Sequence, residues 1–199
     1  MKKNVLIIGA GGVARVVAHK CAQHNDTLGD IAIASRSVAK CEDIVASVHE
    51  KGAMKVEGRI QAYALDALDV AATVKLIKET NSEIVINVGS AFINMSVLEA
   101  CMEAGVAYLD TAIHEDPTKI CETPPWYANY EWKRREACKE KGITAILGVG
   151  FDPDRPSNSV YRVRTVRLNE CNPPEAKSLQ SGNSRILFRS VKITSQSMP

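Results

Sequence analysis

The run NVLII, from Asn4 to Ile8, is almost wholly apolar, the pattern of a strand with both faces buried in a parallel sheet. Glycines follow at once. From about Gly12 the residues Val13, Val16, Val17 and Cys21 recur at helical spacing, which predicts a helix that buries them. The same alternation then repeats. Asp30 leads into a second strand, IAIAS, and Ser37 stands at the N-cap of a helix carrying Val38, Cys41, Ile44, Val45 and Val48, with Gly52 as its stop. RIQAYALD reads as a third strand, Asp69 as the cap of the helix VAATVKLIKE, and EIVINVG as a fourth strand. NMSVLEACMEAG is a helix that ends on Gly105, and VAYLDTA is a fifth strand. Between Ile113 and Asn129, Pro117, Pro124 and Pro125 break any single element and leave a long loop that also holds Trp126 and Tyr127. YEWKRREACKEKG resumes as a charged helix before ITAILGVGF, a sixth strand. Parallel neighbours need a long crossover, and crossovers are right-handed, so this alternation predicts a doubly wound α/β sheet of the Rossmann type over residues 1–153.

The alternation ends after Pro153. Residues 154–199 carry 8 basic and 3 acidic side chains, whereas residues 1–153 carry 17 and 20. The later segment is rich in Ser, Arg, Asn and Pro and forms no long apolar face, so a disordered or loosely attached tail is expected there. Over all 199 residues the net charge is only +2 and 45% of positions are hydrophobic. That balance gives no footing for nucleic acid or a membrane as the main partner. Cys21, Cys41, Cys101, Cys121, Cys138 and Cys171 form no CxxC pair and sit in no His cluster, so they read as packing residues and no metal site is expected. The start MKKNVLIIGAGG is basic and then apolar, as a signal peptide is, but the apolar run is short and enters a glycine turn. A reduced, cytoplasmic setting is the expectation.

The chemistry concentrates in the glycine turn. Gly9-Ala10-Gly11-Gly12-Val13-Ala14 fits G-x-G-x-x-G/A and lies between a strand and a helix, as the dinucleotide fingerprint requires. Gly9 permits the tight turn, Gly11 removes a Cβ from the path of a pyrophosphate, Ala14 keeps the helix close to the sheet, and free N–H groups face the anion. After the second strand an NAD site would place Asp or Glu on the ribose 2′-hydroxyl. Here Ser35-Arg36 occupies that place and Lys40 follows a turn later. A guanidinium there neutralises a 2′-phosphate, so NADP is the expected cofactor. Asp66, after the third strand, stands where adenine or ribose would be contacted or where a strand-end turn is needed. Asn87, Val88 and Gly89 stand on the carboxyl edge that takes the nicotinamide half, with Ser90 or Asn94 available as a helix cap.

VLIIGAGGVARVVAHK, ASRSVAKCEDI, NVGSAFINMSVLEACMEAGVAYLDTA and GVGFDP together resemble the NADP-binding domain of the saccharopine dehydrogenase family, over about residues 1–153. The resemblance implies an NADPH-dependent oxidoreductase of polyamine synthesis. In its reaction an amine and the aldehyde of aspartate semialdehyde form an imine, which is reduced to a secondary amine. It also implies small-molecule substrates and allows a homodimer. Similar members continue GFDPG into a large substrate domain, whereas Asp154 follows Pro153 here. Residues from Asp154 onward are therefore expected to be an aberrant or frameshifted reading, and the chain to be a truncated form with little turnover.

On the active edge Asp110 and Thr111 precede His114, Glu115 and Asp116. His114 and Glu115 are the candidates for proton transfer, since imine formation needs an acid and a base near neutral pH. The other reading makes Asp110 a cap and His114-Glu115-Asp116 a solvated turn. Two alternatives to this reductase are a nucleotide-sensing module without chemistry and another NADP-dependent reductase on the same fold.

Overall fold

The computed structural model describes residues 2–112, 114, 116, 118 and 130–149. Glu115, Trp126, Tyr127, the GFDP ending at 150–153, Cys121, Cys171 and the whole of 154–199 lie outside the described residues. The strands are β1 (Lys3–Ile8), β2 (Leu28–Ser35), β3 (Ile60–Ala64), β4 (Ser82–Asn87), β5 (Ala107–Asp110) and β6 (Ala145–Ile146). The helices are α1 (Gly12–Gln23), α2 (Val38–Glu50), α3 (Val70–Glu79), α4 (Asn94–Ala104) and α5 (Arg135–Glu140), with single 3₁₀ turns at Ala91–Ile93 and Trp132–Arg134. The strands pair in the order β3-β2-β1-β4-β5-β6, all parallel. This is the expected doubly wound sheet, and its order reverses between β1 and β4, where such folds open a crevice for ligands.

The centre of the sheet is β1, whose Val5, Leu6, Ile7 and Ile8 are all at most 2% exposed. Its two-residue period divides the core. Val5 and Ile7 pack with α1 and α2 on one face, while Leu6 and Ile8 pack with α3 and α4 on the other. The NVLII run is continuous because both faces are covered.

Several local readings hold and several do not. Asp69 caps α3, its Oδ1 accepting the Ala72 N–H at 2.9 Å, and Gly105 closes α4 at φ 71°. Ser37 does occupy the N-cap of α2, yet its side chain accepts no cap hydrogen bond. Ser35, two residues upstream, instead braces the cap residue, its hydroxyl accepting the Ser37 N–H at 3.1 Å. The buried face of α1 is Ala14, Ala18, Cys21 and Ala22; Val17 packs half-buried at its edge, but Val13 and Val16 stand 56% and 59% exposed. The reason is distance: a helix launched from a tight glycine turn lies close to the sheet, and a stripe of alanines fits that gap where valines do not. Val38, expected in the core, is likewise exposed at the start of α2. The sixth strand shrinks to two residues, and the charged helix before it becomes a 3₁₀ turn followed by the six residues of α5.

The four described cysteines, Cys21, Cys41, Cys101 and Cys138, are free and buried. Burial pushes the Cys21 thiol up to about 11 and raises Cys101, Cys41 and Cys138 as well. Thiols held protonated in this way pack and do not act as nucleophiles. Among the described residues no three His, Cys, Asp or Glu side chains gather as metal ligands, and no helix is long and apolar enough to cross a membrane.

Candidate nucleotide-binding site

The carboxyl ends of β1 and β4 meet at the point where strand order reverses. The Gly9 N–H donates to Ala34 O at 2.9 Å, and the Val88 N–H donates to Ile8 O at 2.9 Å. These bonds hold the turn against its neighbouring strands. Gly9 has φ +123°, and a Cβ there would lie 2.9 Å from Val88 O and 3.0 Å from Val88 C. The protein itself therefore requires this glycine.

Gly11 and Gly12 are different. A Cβ at either would have no heavy atom within 4 Å, and Gly11 has an extended backbone at φ −90°, ψ −170° that any residue adopts. No contact among the described residues demands that Gly11 lack a side chain. The open space beside it is the space a pyrophosphate would take. Gly11 is also the N-cap of α1, with no side-chain cap bond and no acidic residue in the first turn. The first N–H groups and the positive end of the helix dipole are left for an anion. Ala14, at the third fingerprint position, is fully buried, which brings α1 against the sheet. Val13, beside it, points away from the core. These features fit the diphosphate of a dinucleotide.

At the end of β2, the Ser35 hydroxyl donates to Ser37 O at 2.9 Å and accepts from Ser37 N and from Cys41 Sγ. Its proton is thus spent on shaping the loop that presents Arg36. Arg36 and Lys40 are exposed and, among the described residues, neither belongs to an ion pair. Asp66 is exposed at the end of β3 and uses Oδ1 to accept the Leu68 N–H at 3.1 Å. It forms the strand-end turn that leads into α3.

The β4–β5 edge holds a buried polar network that the sequence pattern did not announce. Asn87 sits in register with Ile8 of β1 and Asp110 of β5, and is 2% exposed. Its Oδ1 accepts the Gly89 N–H at 3.1 Å, and its Nδ2 donates to Asn94 Oδ1 at 2.8 Å and to the Tyr108 hydroxyl at 3.5 Å. Asn94 Nδ2 donates in turn to Ala112 O at 2.6 Å. Asn94 is therefore a brace between β4 and the segment after β5, while Ser90 does the capping, accepting the Phe92 N–H. Gly89 is confined too, since a Cβ would lie 2.7 Å from Ile93 Cδ1.

Tyr108 donates its hydroxyl proton to Asp110 Oδ2 at 2.8 Å, and the Gly148 N–H donates to Asp110 Oδ1 at 2.6 Å. Asp110 is 1% exposed. Burial pushes its carboxyl up to about 7, with the Glu131 carboxylate adding to the rise and the two hydrogen bonds opposing it. Burial and the neighbouring Asp110 charge also raise the Tyr108 phenol far above its ordinary range. Among the described residues Asp110 caps no following segment; it ties the end of β5 to the end of β6. His114 is 8% exposed, which removes it from any solvated turn, whereas Asp116 does shape a turn by accepting from Thr118 N and Oγ1.

Glu131 is 1% exposed. Its Oε1 accepts the His114 N–H at 2.5 Å, and its Oε2 is buried with no hydrogen-bond partner among the described residues. Leaving such an oxygen unsatisfied costs on the order of 1–3 kcal/mol. Nothing in the sequence marks Tyr108 or Glu131, each an ordinary member of its element, and Asn94, a helix-cap candidate there, serves as a brace instead. Their partners lie 7 to 21 positions away.

Comparison with known proteins agrees with the fold and narrows the family. Residues 5–146 match the family model described as saccharopine dehydrogenase NADP binding domain. The chain is 49% identical over 150 residues to a carboxynorspermidine synthase of Vibrio alginolyticus, covering 75% of this chain and 36% of that protein. It is 43% identical over 149 residues to a carboxyaminopropylagmatine dehydrogenase of Synechocystis sp., covering 75% and 34%. The chain thus spans about a third of the length of the curated relatives it matches. Among solved structures, a saccharopine dehydrogenase (L-Glu forming) from Saccharomyces cerevisiae superposes with a TM-score of 0.56 at 19% identity, over 76% of this chain and 28% of that one.

Proposed function

Because the chain belongs to the saccharopine dehydrogenase family through that family's NADP-binding domain, we propose that it is the cofactor-binding part of an NADPH-dependent reductase of polyamine synthesis. The reaction is the reductive condensation of an amine with aspartate semialdehyde. The observation that carries the nucleotide half is the open space at Gly11 beside the uncapped start of α1. The substrate half rests on the relatives named for carboxynorspermidine and carboxyaminopropylagmatine.

In this reading Gly9, Gly11, Gly12, Val13 and Ala14 surround the pyrophosphate, and the N–H groups at the start of α1 bind it. Arg36 takes the 2′-phosphate with Lys40 adding charge, Ser35 shapes their loop, and Asp66 flanks the adenosine end. Asn87 fixes Val88 and Gly89 at the edge where the nicotinamide half rests. NADPH, when bound, supplies the hydride that reduces the imine carbon. In the same reading His114, buried beside that edge, exchanges the accompanying proton.

Titration of NADPH and NADH by fluorescence tests the nucleotide assignment. A charge-assisted contact of about 1.5–3 kcal/mol corresponds to NADPH binding roughly 10- to 150-fold tighter than NADH. Arg36→Ala should bring the two within about 3-fold by weakening NADPH alone. Equal affinities in the unsubstituted chain would overturn the role of Arg36. The substrate assignment is tested by placing residues 1–149 of this chain in the Vibrio alginolyticus relative. Loss of that relative's carboxynorspermidine synthase activity, with NADPH binding intact, would overturn it.

A further inference from the structure

We propose that Glu131 is a positioning residue, which fixes His114 with its Nδ1 proton committed and its Nε2 lone pair left for proton exchange at the carboxyl edge of the sheet. The inference rests on the reductase reading only for what the free nitrogen does; the clamp stands on geometry. His114 Nδ1 lies 3.0 Å from Ala91 O. A carbonyl oxygen only accepts, so Nδ1 must carry the proton, and in a neutral ring Nε2 is then the basic nitrogen. Nε2 has no hydrogen-bond partner among the described residues.

Three contacts hold the ring in that state. Glu131 Oε1 takes the His114 backbone N–H at 2.5 Å, Ala91 O takes the ring proton, and Tyr130 packs edge-on with ring centroids 4.5 Å apart at 60°. Tyr130 and Glu131 are adjacent, so one short segment supplies both the wall and the clamp. That segment is itself anchored. Trp132 packs against the core, and Arg134 Nη2 meets Glu99 Oε1 of α4 at 3.0 Å.

The network also gives the clamp a direction. Ala91 belongs to the turn after β4, which the Asn87–Asn94–Ala112 bonds tie to the segment after β5. The β4 edge and His114 are therefore linked through one set of hydrogen bonds. Among the described residues, the charged or titratable groups around the clamp are Asp110 and Tyr108 from β5, Tyr130 and Glu131 from the segment before α5, and His114 itself.

The test uses the full chain labelled with ¹⁵N-histidine, and multiple-bond ¹H–¹⁵N spectra that distinguish Nδ1–H from Nε2–H rings. His114→Gln identifies the His114 signals by their loss. The expected result is a His114 ring locked as Nδ1–H near neutral pH. Glu131→Ala should release it to the averaged pattern of a free imidazole, and Glu131→Gln, whose amide oxygen still accepts the backbone N–H, should keep it locked. An Nε2–H ring in the unsubstituted chain overturns the proposal even if Glu131→Ala does not fold, and so does a lock that survives Glu131→Ala. NADPH titration of the same sample separates the two readings. A locked ring without saturable NADPH binding overturns the reductase reading alone, and an averaged ring with NADPH bound overturns the clamp alone.

Discussion

Replacing Gly11 by serine is expected to leave the domain as stable as before and to weaken NADPH binding roughly 30-fold or more. The stability half follows from the space and the backbone. A Cβ at Gly11 meets nothing within 4 Å, its φ of −90° is open to any residue, and serine is at least as good an N-cap as glycine. A change within about 0.5 kcal/mol is expected, as for surface substitutions that disturb no special feature. The affinity half follows from the same emptiness. If the space belongs to a pyrophosphate, the new side chain intrudes on it and the serine oxygen takes an N–H the anion would use. Overpacking of about 2–3 kcal/mol translates to roughly 30- to 150-fold in affinity. Thermal unfolding and NADPH titration of the same preparation read both halves. Unchanged affinity would mean that the space serves something else.

Gly9→Ala should do the reverse and attack the fold first. Its φ of +123° lies where side chains are strained, and its Cβ would press on the Val88 carbonyl at 2.9 Å, a backbone atom that cannot rotate away. Backbone strain of about 1–3 kcal/mol and overpacking of about 1–2 kcal/mol add to roughly 2–5 kcal/mol. Against a total stability of about 5–15 kcal/mol this is a large fraction. At about 2–4 °C for each kcal/mol the melting temperature should fall by roughly 5–20 °C. A variant that melts within about 2 °C of the unsubstituted chain would show that the β1 turn relaxes more freely than its contacts with β4 imply. Together the two substitutions separate a glycine the protein needs from one its ligand needs.

The difference between those glycines was partly legible in the sequence. The fingerprint, the strand before it and the helix after it are local features, and local chemistry fixes them. Asp69 and Gly105 were legible for the same reason, because a cap acts within one turn of its helix. The buried face of α1 was not. Val13, Val16 and Val17 are more hydrophobic than Ala14, Ala18 and Ala22, and periodicity cannot tell how close a helix will lie to its sheet. Ser37 was legible as the N-cap position, but not that its hydroxyl would leave the helix N–H groups alone. The polar network was illegible in principle: the Asn87–Tyr108 and His114–Glu131 pairs depend on strand order and on how a long loop returns. The sequence places Asp110 and His114 near the active edge, but only the packed structure makes one a tie between strands and the other a clamped ring.

The central claim is that the β1–α1 turn, Arg36 and the β4 edge form a single NADP site. Its most direct test is the change in backbone amide NMR signals of the full chain as NADPH is added. Saturable shifts are expected, largest at Gly9 to Val13, at Arg36, and at Val88 and Gly89, with Arg36 unmoved when NADH replaces NADPH. Saturable binding whose shifts lie away from the β1–β4 crevice, or no saturable binding at all, would contradict it.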